Sequence, residues 1–231
     1  MDARAPVRMG RRRLCRASRL AADPAVWTSV ALATSLLIGA GEGGSSVWWL
    51  LPLLLVGHLV LWHTRRRRPL VRGRLALATY AAGGLVGGVV YELSLDAGGG
   101  IGGLDPDART SFLLLPGYLV PAVMFTLWAT RRFGLDARQQ FFLAGGMSWY
   151  EALTVGGTTL VSQPLLAPLL VAFYVASYAV YNGALGMLLV DPRAIHSPAP
   201  TSITWPRLVG LSVLGGALVW GVYVGWAAAV T

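Results

Sequence analysis

The sequence predicts an all-α protein, a polytopic bundle of transmembrane helices with a cytoplasmic N-terminus and an external C-terminus. Three observations support this. Of the 231 residues, 55% are apolar and only 13% are charged, which is too little polar surface for a soluble domain of this size. Long apolar runs recur along the chain. Arginines flank these runs on alternate sides, as expected when every second loop is cytoplasmic.

The apolar runs define seven predicted helices, and six is the alternative count. Each run approaches the roughly 20 residues that cross a hydrocarbon layer of about 30 Å, and none alternates like a barrel strand. The first two are short enough to form a tilted or re-entrant pair instead. Residues 1–24 form an Arg-rich cytoplasmic tail, and residues 25–231 form one transmembrane domain. The predicted helices cover residues 25–41, 47–63, 74–95, 110–130, 139–160, 165–190 and 207–229.

The basic residues predict the orientation. All 19 are arginine, and with the N-terminus inside, every one except Arg109 lies in the tail or in a cytoplasmic loop. This bias predicts a multi-pass protein of the cell membrane, specifically the inner membrane of a prokaryotic cell. The net charge of +9 then faces an anionic leaflet, so the expected partner is the lipid bilayer and no nucleic acid is expected.

Two stretches of the chain resemble each other and predict an internal repeat. LWHTRR at 61–66 returns as LWATRR at 127–132, and each copy is preceded by LLP and followed by AGG, YE and GG in the same order. Residues 47–99 and 110–157 are therefore predicted to form a parallel repeat, as in some transporters. Chance similarity is the alternative, because Gly, Leu and Ala are common in this sequence.

Three ionisable residues within the apolar runs predict a membrane-embedded acidic site. Glu151 is the most deeply placed carboxylate, Glu92 is its counterpart in the repeat, and His58 lies in the second helix. Ionisable groups are costly in the membrane, so they usually face a cavity or a partner. The functional hypothesis is that Glu151 and Glu92 bind a cation, carry a proton or act as acid and base, with His58 within reach. The alternative, favoured for His58, is a structural hydrogen bond between helices.

Aromatic residues next to these positions predict a substrate-binding surface. Tyr174, Tyr178 and Tyr181 recur at spacings of four and three residues, which places them on one helix face. They are expected to line a polar path or to bind a flat or isoprenoid substrate, with helix packing as the alternative. The predicted binding residues are Trp149, Tyr150, Tyr91, Tyr174, Tyr178, Tyr181 and Asn182.

These features favour a small secondary transporter or channel for a proton, cation or small solute. One alternative is an intramembrane enzyme of cyclase or hydrolase type, in which Glu151 is a general acid acting on an apolar lipid or isoprenoid. A third hypothesis is a scaffold subunit that forms a homo-oligomer or binds a membrane partner through glycine faces such as Gly83 to Gly88. No cofactor or metal site is expected, because the chain lacks Lys, has one Cys and carries no metal-binding motif.

Overall fold

A computed structural model describes residues 21–41, 49–96, 108–154, 161–162 and 164–230. It does not describe the side chains of residues 39–41, 95–96, 108–112, 151 and 154. Across the described residues the regular secondary structure is helical, and the one β feature there is an isolated bridge between Val71 and Val190. The predicted all-α class is therefore confirmed.

The helices follow the predicted apolar runs. A π turn, Val180–Ala184, joins α7 to α8, and a 3-10 turn, Pro192–Ala194, follows α8. The α-helices of the described chain are α1 (Pro24–Gly41), α2 (Leu50–Thr64), α3 (Leu75–Asp96), α4 (Ala108–Phe133), α5 (Ala137–Gly146), α6 (Trp149–Thr154), α7 (Ala167–Ala179), α8 (Leu185–Leu189) and α9 (Trp205–Val230).

Four helical stretches of the described chain are long and apolar enough to cross a membrane. They are Leu75–Ser94, Leu113–Phe133, Ala167–Leu189 and Trp205–Val230. α1 and α2 are apolar but shorter. Length and composition thus indicate a membrane protein, whereas a count of seven spans and the side of the membrane that each terminus faces remain predictions.

The fifth predicted segment, residues 139–160, is interrupted. α5 ends at Gly146, and the chain turns before α6 begins at Trp149. The backbone N–H and the hydroxyl of Ser148 both donate to the Gly145 carbonyl, at 3.1 and 2.7 Å. A continuing α-helix would offer this carbonyl to the N–H of Trp149, so the local bonds of Ser148 compete with the helical ladder. Residues 155–160 of this predicted segment lie outside the described residues.

The loops that carry arginines meet at one end of the bundle. In the α2–α3 loop, the Val71 N–H donates to the Leu189 carbonyl at the end of α8, over 3.1 Å. The chain beyond α8 reaches the end of α4, where the Ser197 N–H donates to the Arg131 carbonyl over 3.0 Å. Asp23, just before α1, lies at the same end. The structure therefore places the start of α1 and three loops, α2–α3, α4–α5 and α8–α9, at the same end of the bundle. The predicted arrangement, in which every second loop carries arginines and lies on one side of the membrane, requires this.

The stretch from α7 through α8 forms the centre of the bundle. It is the most buried of the four membrane-length stretches in the described chain, and it contacts α1, α3, α4 and α5. α9 packs at the side, against α4 and α5. A Cβ added to Gly83 of α3 would lie 2.9 Å from the Cα of Gly186 in α8, so these backbones are nearly in contact. The glycine face predicted on α3 thus permits close packing within the chain itself. Binding of a partner through glycine faces remains a prediction.

Candidate functional site

The central helical stretch is broken at the π turn. Gly183 has a φ of +114° and a ψ of 4° there, a backbone conformation that residues with a Cβ rarely adopt. All five residues of the turn are buried. Such π turns interrupt the regular hydrogen-bond ladder of a helix and often mark functional sites. The break therefore places irregular backbone in the middle of the bundle.

Four buried polar side chains surround this break, and we call them the central polar cluster: Tyr80, Thr126, Gln140 and Asn182. The Gln140 amide donates to the Tyr80 hydroxyl over 2.9 Å, and the Tyr80 hydroxyl donates to Thr126 Oγ1 over 3.2 Å. Thr126 Oγ1 lies 3.0 Å from the Asn182 carbonyl oxygen, and the Asn182 amide donates to the Ala144 carbonyl over 2.9 Å. These bonds join α3, α4, α5 and the π turn.

The central polar cluster holds two acceptor oxygens that have no partner among the described residues. They are Oε1 of Gln140 and Oδ1 of Asn182, and both side chains are fully buried. A buried polar atom without a hydrogen bond costs roughly 1–3 kcal/mol. A proton donor or a cation that reached these oxygens would remove this cost. The two oxygens are therefore candidate acceptors for a cation, a water molecule or a solute that donates hydrogen bonds.

A second group of side chains consists of three buried tyrosines, Tyr91, Tyr178 and Tyr181, and the half-buried Tyr118, and we call it the tyrosine cluster. The Tyr91 ring centroid lies 4.9 Å from that of Tyr181 and 5.8 Å from that of Tyr178. The Tyr118 centroid lies 5.2 Å from that of Tyr181. Tyr181 directly precedes Asn182, so the tyrosine cluster adjoins the central polar cluster along the chain.

The six aromatic residues among the predicted binding residues belong to one continuous set of ring contacts. Tyr174 packs on Tyr178, with ring centroids 6.5 Å apart. On the other side, the Tyr118 ring contacts Tyr223, which contacts Trp220, and Trp220 stacks on Tyr150 at 4.6 Å. Trp149 adjoins Tyr150, with centroids 5.6 Å apart. The structure thus connects all six predicted aromatic residues, and their role in substrate binding remains a prediction.

The two predicted carboxylates differ in what the structure describes. Glu92 is half-buried next to Tyr91 of the tyrosine cluster. Glu151 lies in α6 by its backbone, beside Tyr150, and its side chain is outside the described part of the chain. The prediction that Glu92 and Glu151 share one site therefore stays a prediction.

His58 occupies a different place from the carboxylates. Its Nδ1 lies 3.1 Å from Thr28 Oγ1, and its ring packs against Phe141 at 5.4 Å. α2 ends and α3 begins at the arginine end of the bundle, so depth can be counted from there along both helices. His58 is six residues from the end of α2, and Glu92 is 17 residues from the start of α3. At 1.5 Å per residue, the two positions differ by about 17 Å along the bundle. The structure therefore does not bring His58 to Glu92.

Sequence reasoning missed three members of the central polar cluster. Asn182 is the member that was predicted as a site residue, whereas Tyr80, Thr126 and Gln140 were not. Of these three, Gln140 could have been found from the sequence, because it is an uncharged polar residue near the start of an apolar run. A polar side chain at such a position indicates a buried partner on another helix.

The described residues contain no group of three or more His, Cys, Asp or Glu side chains arranged to hold a metal ion. Comparison of the chain with protein-family models, curated proteins and solved structures finds no significant match.

Proposed function

We propose that this protein is a small membrane transporter or channel in which a proton, a cation or a small solute passes the central polar cluster. The observation that carries the proposal is the broken helix at the centre of the bundle. Discontinuous helices with free backbone and side-chain oxygens form the substrate and ion sites of several transporter folds. Here the break lies next to two acceptor oxygens, those of Gln140 and Asn182, which have no partner in the part of the chain that the structure describes.

The chemistry of the cluster favours a ligand that is positively charged or rich in N–H and O–H groups. The amide oxygens of Gln140 and Asn182 are acceptors, and a cation that leaves water needs several such oxygens to replace its hydration shell. The Tyr80 and Thr126 hydroxyls lie between the Gln140 amide N–H and the Asn182 backbone carbonyl in one hydrogen-bonded chain.

The tyrosine cluster and the two glutamates form the proposed entrance to this site. Tyr181 lies in the tyrosine cluster, Asn182 lies in the central polar cluster, and Glu92 follows Tyr91 in sequence. We place Glu92 and Glu151 at this entrance as carboxylates that attract a cation or exchange a proton. Such a role explains why the chain carries ionisable residues in apolar segments, where they are costly.

The first test measures ion flux in liposomes that contain the purified full chain. Proton, Na⁺ and K⁺ movement are followed separately, with a pH-sensitive dye and with imposed ion gradients. Gln140→Met removes the free oxygen at nearly constant volume, and we expect at least a tenfold loss of flux. Gln139→Met is the matched control, because the Gln139 side chain bonds to the backbone of Asp136 at the N-terminal cap of α5 and is not part of the cluster. Equal flux in the Gln140→Met variant and the wild type, with both folded, would contradict the proposal.

A second variant tests the acidic entrance. Glu151→Gln keeps the shape of the side chain and removes its charge and its titration. We expect loss of proton-coupled flux with the fold intact, as judged by gel filtration in detergent. Normal coupled flux in this variant would remove Glu151 from the transport path.

The tyrosine cluster favours a second candidate, an intramembrane enzyme acting on a lipid or isoprenoid. Packed aromatic rings bind flat or apolar substrates and stabilise cationic intermediates. In this case Glu151 acts as the general acid, and Glu151→Gln should cause unconverted lipid to accumulate in cells. An unchanged lipid profile in that variant would count against the enzyme and leave transport as the explanation of the site.

A further inference from the structure

A basic groove lies at the arginine end of the bundle, and none of its lining residues belongs to the central polar cluster. Its volume is about 1010 Å³, and it is lined mainly by the α2–α3 loop together with residues at the starts of α1 and α5. We call it the arginine groove and define it by Trp62 and the five arginines of its lining, which are Arg65, Arg66, Arg68, Arg72 and Arg138.

The loop that carries these arginines is attached firmly to the bundle. The Arg68 guanidinium donates to the carbonyl of Leu188, in the last turn of α8. The last carbonyls of a helix have no partner within the helix and carry partial negative charge, so a cation is favourable there. Arg72 forms an ion pair with Asp191, with 2.9 Å between Nε and Oδ2. These two contacts join the α2–α3 loop to the end of α8 and to the chain that follows it.

Positive charge exceeds negative charge in the groove. Asp23 is the acidic residue in its lining, and that carboxylate accepts a hydrogen bond from the Ala25 N–H over 3.0 Å. The ion pair of Arg72 is the one salt bridge among the residues that the structure describes. Burial lowers the pKa of Arg65, which nevertheless stays protonated because arginine is not deprotonated in proteins. A counter-anion in the groove would reduce the repulsion among these guanidinium groups.

The surroundings of the arginine groove fit a ligand with a charged head and apolar tails. Trp62 of α2 lies at its edge, with the Arg65 guanidinium carbon 5.9 Å from the ring centroid. Further along α2, Leu53, Val56 and Val60 are exposed apolar residues. Acyl chains could therefore follow α2 into the membrane while the head stays among the arginines.

We propose that the arginine groove binds the phosphate headgroup of an anionic phospholipid. Guanidinium groups present several N–H donors in a planar fork that matches phosphate oxygens. Basic pockets between membrane helices are known to hold such headgroups. The positive-inside rule predicts that this end faces the cytoplasm, where anionic lipids are enriched. The inference does not depend on the transport proposal, because the groove and the central polar cluster share no residue.

Native mass spectrometry of the full chain in neutral detergent tests this proposal. Phosphatidylglycerol, cardiolipin and zwitterionic phosphatidylcholine are titrated separately, and inorganic phosphate serves as the free anion. We expect the anionic lipids to bind at least tenfold more tightly than phosphatidylcholine and to resist competition by millimolar phosphate. Equal binding of phosphatidylcholine would overturn the proposal. Phosphate that displaced the lipid at similar concentration would show a site for free anions and overturn the lipid assignment.

A matched pair of double variants locates the binding. Arg66→Gln with Arg138→Gln removes two charges from the groove, and at about 1 kcal/mol per charge we expect roughly a 30-fold loss of lipid affinity. Arg67→Gln with Arg74→Gln removes the same charge from neighbouring positions outside the groove, and less than a threefold loss is expected. Equal losses in the two pairs would show general surface attraction and contradict a defined site. Added salt provides a test without mutation, because it should weaken lipid binding to the wild-type protein.

Discussion

Gln140 on α5 and Tyr80 on α3 are joined by a hydrogen bond of 2.9 Å at the centre of the bundle, and both side chains are fully buried. The two residues are 60 positions apart in the chain. The Tyr80 hydroxyl accepts from Gln140 and donates to Thr126, so this single group connects α3, α4 and α5. Stability and the geometry of the central polar cluster therefore depend on the same hydroxyl.

Tyr80→Phe should lower stability without opening a large cavity. The change removes one hydroxyl and leaves the Gln140 amide without its acceptor, so we expect a loss of about 1–3 kcal/mol. The free energy of unfolding is measured by titration with a denaturing detergent. In a double-mutant cycle with Gln140→Met, the combined loss should be smaller than the sum of the single losses. Strict additivity would show that the two side chains do not interact.

Gly183→Ala should destabilise the π turn. A side chain at a φ of +114° is strained, and its Cβ would also lie 3.3 Å from Thr126 Oγ1. We expect a loss of about 1–3 kcal/mol, measured as a lower melting temperature in detergent. Gly57→Ala on α2 is the control, because among the described residues no atom beyond the local backbone of α2 lies within 4 Å of the added methyl group. This control should be neutral or stabilising by up to about 1 kcal/mol, since alanine favours a helix. A Gly183→Ala variant as stable as the control would rule out strain at the turn.

His58→Leu should affect stability and leave transport unchanged. His58 is buried against Thr28 and Phe141, and it lies away from Glu92. Loss of its hydrogen bond is expected to cost about 1 kcal/mol, with flux within twofold of the wild type. His63→Leu on the exposed face of α2 provides the matched control and should change neither quantity. Loss of flux in the His58→Leu variant at unchanged stability would contradict this prediction and indicate that His58 belongs to the functional site.

The single cysteine of the chain allows a direct test of the predicted topology. Cys15 lies in the Arg-rich tail, which the positive-inside rule assigns to the cytoplasm. A membrane-impermeant maleimide should therefore label Cys15 only after the cells are permeabilised. In a Cys15→Ser background, Asp105→Cys places the thiol in the predicted external loop, and labelling of intact cells is expected. Labelling of Cys15 in intact cells would invert the predicted orientation.

The positions of the helices could be predicted because hydropathy is a local property. α3, α4 and α9 coincide with predicted apolar runs to within a few residues. The break after Gly146 was not predicted, because Ser148 stands in a run that remains apolar on average. Its hydroxyl competes for the Gly145 carbonyl, and hydropathy does not register such a bond.

The candidate site could be predicted only in part. The spacing of Tyr174, Tyr178 and Tyr181 placed their rings on one face, and the structure confirms that these rings pack in series. The partners that Tyr181 finds on other helices, Tyr91 and Tyr118, required the tertiary structure. Their helices are apolar on nearly every side, so the sequence pattern does not show which face turns inward.

The sequence by itself determined that this is a helical protein with membrane-length apolar segments whose arginines lie in alternate loops. These properties follow from residue composition along each segment, and each segment can be evaluated alone. Only the tertiary structure decided that Tyr80, Gln140 and Asn182 meet at a broken helix and that the α2–α3 loop forms the arginine groove. Both sites are built from residues distant in the chain, and the packing of helix against helix sets which of their side chains come together.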